Sequence, residues 1–454
     1  MGSNGGKGGL WNRPAETLSR AEYVRLQEAK LRALLDKLNR ESPFYRRKFK
    51  EAGVDPTGVR TLDDLRRLPT TDKEDHRHSQ LEKPPLGDFH LVSLQNGAKL
   101  HGSGGTTGKP LLYLDSLRSW NWVSEVWAYC LTAQGVGPSS VVLMPSGYNM
   151  FIGFWGAHHG IEKVGGITVP AGATSTERRV EMILEFGCTN FICTPSYAIH
   201  MGETAQKMGI DPATTPIVGT HHAAEPGASI PATKRRIEQL WGAKCYDNYG
   251  MVELGSSIMY ECGERSGMHI MEDQIIAEFI HPETRQPVKA GEEGEIIWTS
   301  IGVRGFEALP LVRYRSKDLA VYTEEPCPCG RTTRRLVGGI RGKLDDIKKV
   351  RGVNLFPPAI ESTLARFEEL SHEWEAVIDR PRELDTITVS VEASPGYPRE
   401  RWPDLTERVA KALASAIMLS CEVRIAPPGE IGPRYANVLK PGWKRLIDKR
   451  DVPF

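Results

Sequence analysis

Two groups of residues in this sequence carry chemistry before any fold is considered. The first is the run His101–Pro110, HGSGGTTGKP, between two apolar stretches. Gly102, Gly104, Gly105 and Gly108 let a backbone approach a ligand closely. Ser103, Thr106 and Thr107 add hydroxyls, and Lys109 adds a cation for phosphate. The spacing is not that of the Walker loop. Ser103 stands where its first glycine belongs, and Pro110 stands where it has the Ser or Thr that holds magnesium, so a P-loop kinase or ATPase is disfavoured. By itself the run also reads as a flexible surface turn. The second group is Cys262 and His269, spaced Cys-x6-His, with Cys327-Pro-Cys329 about 60 residues on. Three thiolates and one imidazole make the closed tetrahedral shell of a structural zinc site, which keeps no position for water or substrate. Scattered cysteines beside an unrelated histidine are the alternative.

These residues need a scaffold. The 454 residues suggest two to four domains, or a large domain with a small one. A content of 40% hydrophobic and 25% charged residues excludes a fibrous or mostly disordered chain. The net charge of +1 gives no electrostatic case for nucleic acid or an anionic membrane as partner. No apolar run reaches membrane-span length, and the amino terminus lacks the apolar core of a secretion signal. Eight cysteines spread over so long a chain fit a reducing cytoplasm better than a disulfide scaffold. Residues 17–52 read as charged-faced helices. From Phe89, the short apolar runs LVSL, PLLYLD, VVLMP, GITVP and FICTP alternate with amphipathic stretches such as Ser116–Ala133 and Ser175–Phe186. That alternation predicts an α/β fold with largely parallel strands. After Met268 the texture becomes strand-rich, reading as a small antiparallel sheet. From about Gly342 a βαββαβ-like unit of about 100 residues follows, a usual size for one small α+β domain.

The loop SGGTTGKP resembles the [ST]-[SG]-G-[ST]-T-G-K-P loop of adenylate-forming enzymes, the acyl-CoA synthetase and luciferase superfamily. Four further motifs appear in that family's order. Ala224-Glu225-Pro226 resembles the turn that lies against adenine. YDNYGMVE at Tyr246–Glu253 is similar to Tyr-Gly-x-[ST]-Glu. By that resemblance Tyr249 stacks on adenine and Glu253 binds the magnesium on ATP, with Asp247 and Gly250 in the same nucleotide-binding stretch. Met251 and Val252 stand where the usual hydroxyl belongs. LVRYRSKDL resembles Tyr-Arg-[ST]-x-Asp, which makes Asp318 the acceptor of both ribose hydroxyls. GKLDDIKKVRGVNLFP resembles the family hinge, with Asp345 as hinge residue and Lys343 in place of the usual Arg. The short length, the segment NMFIGFWGAHHG at Asn149–Gly160 and PCPCGRT at Pro326–Thr332 are most similar to the phenylacetate-CoA ligase group.

The resemblance covers roughly residues 20–454. It implies a large multi-layer AMP-binding domain with mixed sheets at 1–342, with the zinc-bearing strand-rich part near 255–335. A small mobile domain at 343–454 is joined to it by a hinge. It also implies an AMP-forming acid–CoA ligase whose partners are a small carboxylic acid, ATP with Mg2+, and coenzyme A, with no nucleic acid or membrane partner; a homodimer is left open. Catalysis would fall to Lys109, Thr107, Glu253 and a small-domain lysine. The terminal segment NVLKPGWKRLIDKR puts Gly442 where the family lysine stands. Lys440 is favoured over Lys444 because Pro441-Gly442 can form the turn that presents it. Tyr148, Phe151, Phe154, Trp155 and His222 are expected to line the acid pocket. Phe154 and Trp155 are bulkier than the family's Gly and Leu, so a short-chain 2-hydroxy acid competes with an aryl acid of phenylacetate or benzoate type. Two alternatives remain at this stage: transfer of the acyl group to an amine or carrier-protein thiol, and a non-catalytic nucleotide-binding zinc protein.

Overall fold

The computed structural model describes residues 9–103, 110–346, 348–351, 353–355, 357–381, 384–435 and 445–450. Two compact units are present: one built from the chain up to Ala224 with Glu238–Gly339, the other from Glu225–Ile237 with Ile340 onward.

In the first unit the glycine-rich run joins a hairpin. Strand β1 (Lys99–Gly102) pairs antiparallel with β2 (Leu112–Asp115). The stretch LVSL forms turns and bends rather than a strand; its backbone is taken up singly, as in Leu91 N–H to the Ala308 carbonyl at 2.8 Å. Next come β3 (Val141–Met144), β4 (Ile167–Pro170), β5 (Asn190–Cys193), β6 (Gly219–His222) and β7 (Lys244–Met251). Between them run the helices Ile152–Lys163, Thr176–Glu185 and Pro195–Lys207, and between β6 and β7 the helix Pro231–Trp241, most of which belongs to the second unit. Ser175 and Thr194 cap two of these helices with side-chain oxygens. The strands pair in parallel, in the order β4-β3-β5-β6-β7. β5 and β6 are buried along their whole length, as strands covered on both faces must be.

Strands β8 (Ser256–Glu261), β9 (Met268–Ile270), β10 (Ile275–Ile280), β11 (Glu293–Ser300), β12 (Tyr314–Thr323) and β13 (Arg335–Lys343) follow. The sequence reads the part after Met268 as a small antiparallel sheet, and β10, β11 and β12 do pair antiparallel, but they do not stand as a sheet of their own. The stretch instead continues the parallel strands, because β8 pairs antiparallel with β7, giving one sheet of eleven strands.

In the second unit β14 (Lys348–Val350) and β15 (Val353–Leu355) form a hairpin. β16 (Leu370–Asp379), β17 (Thr386–Ala393), β18 (Glu422–Ala426) and β19 (Leu446–Asp448) form a sheet of order β18-β17-β16-β19. Ile387, Val389, Val391 and Ala393 alternate inward along β17. They meet Leu405, Val409, Leu413 and Ile417, a stripe at i, i+4 spacing on the helix Trp402–Ile417.

The helices Leu117–Ala133 and Ile152–Lys163 approach closely because two glycines face Trp127. A Cβ on Gly160 would lie 2.4 Å from the Trp127 Cβ, and one on Gly156 would lie 2.7 Å from its indole nitrogen. Gly160→Ala is therefore expected to cost about 1–3 kcal/mol in chemical denaturation, as overpacking of a filled core does. An unchanged midpoint would show that the helices can separate freely.

Candidate functional site

In an open α/β sheet, ligands bind beyond the carboxyl ends of the strands where the strand order reverses. Here the reversal is at β3, which has β4 on one side and β5 on the other. The segments holding Tyr148–Trp155, Tyr197, Ala224 and Tyr249–Glu253 all leave strands at that end.

The nucleotide candidates converge where β7 passes into β8. The Tyr249 hydroxyl donates to Asp318 Oδ2 at 2.6 Å, and its ring stacks near Trp298 at 5.9 Å between centroids. Burial, then the Asp318 carboxylate, pushes the Tyr249 phenol well above its ordinary range, so it stays a donor. Asp318 is buried, and Lys317 before it takes a left-handed φ of 64°, which kinks β12 at the carboxylate. Ala224 is also left-handed, at φ 75°. Asp247 is a buried β7 residue whose N–H donates to Glu261 Oε2 at 2.9 Å. Gly250 sits at a register shift between β7 and β8. A Cβ there would stand 1.8 Å from the Ser256 carbonyl oxygen, so only glycine fits.

Glu253 is 5% exposed. Its Oε1 accepts from the Tyr113 hydroxyl at 3.1 Å and the Tyr314 hydroxyl at 3.4 Å. Both phenols are raised well above their usual range by burial first and by Glu253 second, so both are protonated donors. The Arg304 guanidinium donates to the carbonyls of Val252 at 2.7 Å and Glu253 at 2.8 Å, and pairs with Asp115 at 2.7 and 3.1 Å. Tyr113 and Asp115 lie two apart on β2, the strand that leaves the glycine-rich run, and so share one face. At the base of that run Ser103 N–H donates to the Leu111 carbonyl, while Ser103 Oγ accepts from Leu111 N–H. Gly104, Gly105, Thr106, Thr107, Gly108 and Lys109 lie outside the described residues. Lys440 does too. Lys343 ends β13, and Asp345 is exposed in the turn after it.

The expected acid-pocket side chains Tyr148, Phe151, Phe154 and Trp155 are half-buried. Trp155 is fixed on two sides: its indole N–H donates to the Asn149 carbonyl at 2.9 Å, and the Lys99 ammonium sits 3.8 Å from a Trp155 ring centroid. Tyr148 hydrogen-bonds to His158 Nδ1 at 2.8 Å, and His158 Nε2 bonds Glu162 at 3.1 Å. A carboxylate accepts only, so Nε2 carries a proton, and in the neutral imidazole Nδ1 is then the acceptor of the Tyr148 hydroxyl. The Tyr148 oxygen keeps lone pairs to receive a donor. His222 differs from expectation. It is fully buried in β6, donating from Nδ1 to the Cys193 carbonyl at 3.1 Å, with Thr220 Oγ1 2.9 Å from Nε2. The fold uses both of its ring nitrogens.

The ligand atoms of Cys262, His269, Cys327 and Cys329 all lie within 4.8 Å of one another. Cys262 and Cys327 sulfurs are 3.7 Å apart, and Cys329 Sγ is 3.4 Å from His269 Nε2. Zinc–sulfur bonds of about 2.3 Å at a tetrahedral angle put sulfurs about 3.8 Å apart, so the donor set fits that ion. His269 Nδ1 bonds Thr333 Oγ1 at 2.8 Å, which leaves Nε2 for a metal. Directly after Cys329-Gly330, Arg331 reaches Glu16 at 2.6 Å and the Gly9 carbonyl at 2.6 Å.

Sequence reasoning missed Tyr113, Asp115, Arg304, Tyr314, Lys99 and His158. Tyr113 and Asp115 had a readable signal, an i, i+2 pair just behind the glycine-rich run. Tyr314 lay inside a quoted motif with no role given to it. Arg304 had none, since Asp115 is 189 positions away.

Because the Gly250 contact is with backbone, Gly250→Ala must shift β7 against β8 and move Tyr249 and Glu253 with them. Saturating ATP at 100 Kd stabilises a binding protein by about 2.7 kcal/mol. The variant is expected to lose that nucleotide-dependent rise in melting temperature. A full rise would show that the strands relax without moving the site.

The chain matches the family model for the AMP-binding enzyme C-terminal domain over residues 352–450. It is 35% identical to a phenylacetate-coenzyme A ligase of Thermus thermophilus, over 96% of this chain and 98% of that one. It is 33% identical to the phenylacetate-coenzyme A ligase of Escherichia coli K12, over 92% and 94%. A crystal structure of a 2-hydroxyisobutyryl-CoA ligase with a bound acyl-AMP superposes with a TM-score of 0.89, at 27% identity, over 99% of this chain and 94% of that one. With sequence identity of this order along almost its whole length, the protein belongs to the phenylacetate-CoA ligase group of the adenylate-forming acyl-CoA synthetases, which are AMP-forming acid–CoA ligases.

Proposed function

We propose that this ligase activates a small carboxylic acid, favouring a short-chain 2-hydroxy acid, and delivers it to coenzyme A. The carrying observation is Tyr148. With His158 neutral, its proton goes to Nδ1 and its oxygen is an acceptor for a hydroxyl on the acid, beside a Trp155 held in place by Lys99. A 2-hydroxyisobutyryl-CoA ligase as structural neighbour supports this reading. An aryl acid of phenylacetate type is the second reading, favoured by the names of the curated relatives.

In the first half-reaction a carboxylate oxygen attacks the α-phosphorus of ATP, the bond to the β-phosphate bridging oxygen breaks, and pyrophosphate leaves. In the second the CoA sulfur attacks the acyl carbonyl, the thiol proton is lost, and AMP departs. Lys109 and Lys440 supply cations to the phosphates, and Glu253 holds magnesium. That ion offsets charge on the phosphates. Ala224–Pro226 and Tyr249 flank adenine, and Asp318 takes the ribose hydroxyls. The protein divides at 342/343, with Asp345 as the hinge. Cys262, His269, Cys327 and Cys329 hold a structural zinc that ties the β8–β9 turn to the β12–β13 turn. The cysteines are in the thiol state, which suits a reducing cytoplasm. No helix among the described residues is long and apolar enough to cross a membrane.

Lys440→Ala is expected to slow acid-dependent pyrophosphate exchange by about 100-fold, the loss of one charge-assisted contact, while transfer from preformed acyl-AMP to CoA survives. Equal loss in both half-reactions would remove Lys440 from adenylation. Exchange screened over acids should rank short 2-hydroxy acids above phenylacetate; the reverse order would return the aryl reading.

The metal assignment makes a separate prediction. Purified protein should carry about one zinc per chain, as four good donors require. Cys327→Ser should lower zinc content and melting temperature together, with nucleotide affinity affected later. Zinc-free wild-type protein with normal melting would remove the site.

A further inference from the structure

We infer that Tyr113 and Tyr314 are positioning residues that fix the Glu253 carboxylate so that one oxygen alone faces magnesium, with Arg304 and Asp115 fixing the main chain beneath it. This rests on the reading of Glu253 as the magnesium carboxylate and adds residues no motif assigns.

The geometry is one-sided. Both phenols donate to Oε1. Among the described residues no donor reaches Oε2. Oε2 is not one of the fully buried unpartnered atoms, so it is the oxygen of this mostly buried carboxylate that stays open to an incoming cation. Two hydrogen bonds on Oε1 stop the group from turning to offer both oxygens. They also draw charge from that oxygen, so Oε2 is the better metal ligand. Hydrogen-bonded outer partners of this kind orient ligating carboxylates generally.

The donors are rigid. Tyr113 is fully buried and Tyr314 is 1% exposed. The His76 ring packs against both, at 6.0 and 5.3 Å between centroids, and stacks on Phe89 at 4.0 Å. Below the side chain, Arg304 holds the two carbonyls of the Val252–Glu253 turn, and Asp115 holds Arg304. Asp115 and Tyr113 are both on β2, so the strand leaving the phosphate-loop candidate sets the Glu253 side chain and main chain together.

The test measures the magnesium concentration giving half-maximal pyrophosphate exchange at saturating ATP and acid. Tyr113→Phe with Tyr314→Phe keeps both rings and removes both hydroxyls. The double variant is expected to raise that concentration by roughly 10–100-fold, the usual effect of losing outer-shell partners. Transfer of preformed acyl-AMP to CoA, which handles no pyrophosphate, should be unchanged. Arg304→Lys should raise the magnesium requirement as well, by freeing the turn. A merely structural role would depress both half-reactions and the melting temperature with the magnesium midpoint unmoved, and would overturn the inference. Glu253→Gln separates the two levels. A shifted midpoint in Glu253→Gln with none in the double variant overturns the inference alone. No shift in Glu253→Gln overturns the Glu253 reading, and the inference with it.

Discussion

The buried pair of Arg304 and Asp115 holds the first unit's site together. Their side chains are 2% and 0% exposed. Taking both charges out of water is repaid only if the remaining donors and acceptors are used. They are: the guanidinium spends its other bonds on the Val252 and Glu253 carbonyls, and Asp115 accepts from Ser119. Gly255, at φ 84°, leaves room for the Arg304 chain; a Cβ there would stand 2.8 Å from its Cδ and 2.7 Å from Trp122. Removing one partner from such a pair typically costs about 3–5 kcal/mol. Here it would loosen three pieces at once: β2, the turn bearing Glu253, and the helix Val303–Glu307.

The antiparallel pairing of β8 with β7 makes the parallel and antiparallel strands one sheet. The parallel half provides the crevice at the carboxyl ends of its strands. The antiparallel half brings Asp318 and Tyr314 on β12, four residues apart, to the same junction. Tyr249 on β7 bonds directly across to Asp318. Gly250 allows this by letting β8 pass where a side chain would otherwise stand.

The architecture was largely legible. Alternating apolar runs and capped amphipathic stretches give the parallel half, and i, i+4 leucines and valines give the helix of the second unit. The merging of the two halves was not legible, because strand order is set by pairing between distant segments. Neither was LVSL as turns, since four apolar residues carry no period of their own. In the candidate site, residues proposed to act through their type, such as Cys262, His269, Cys327, Cys329 and Glu253, stand out by chemistry. Residues that act by holding others do not. Arg304 looks like any arginine until Asp115 is placed beside it. His222 shows the converse: a polar residue beside a nucleotide motif looks available, yet its ring nitrogens complete hydrogen bonds within β5 and β6.

The bond from Arg331 to the Gly9 carbonyl spans 322 positions, and its ion pair with Glu16 spans 315. A ribosome adding about 5–20 residues per second needs roughly 15–60 s to make the second partner after the first. For that interval Gly9 and Glu16 exist without Arg331, although the helix Leu117–Ala133 already offers Thr132 to Gly9 and Tyr129 to Asn12. Vectorial synthesis can therefore seat this segment on that helix well before its charge pairing is complete. The Glu16 carboxylate can meet the Asn12 N–H and the Tyr260 hydroxyl earlier, but it gains its cationic partner only once Arg331 has been made.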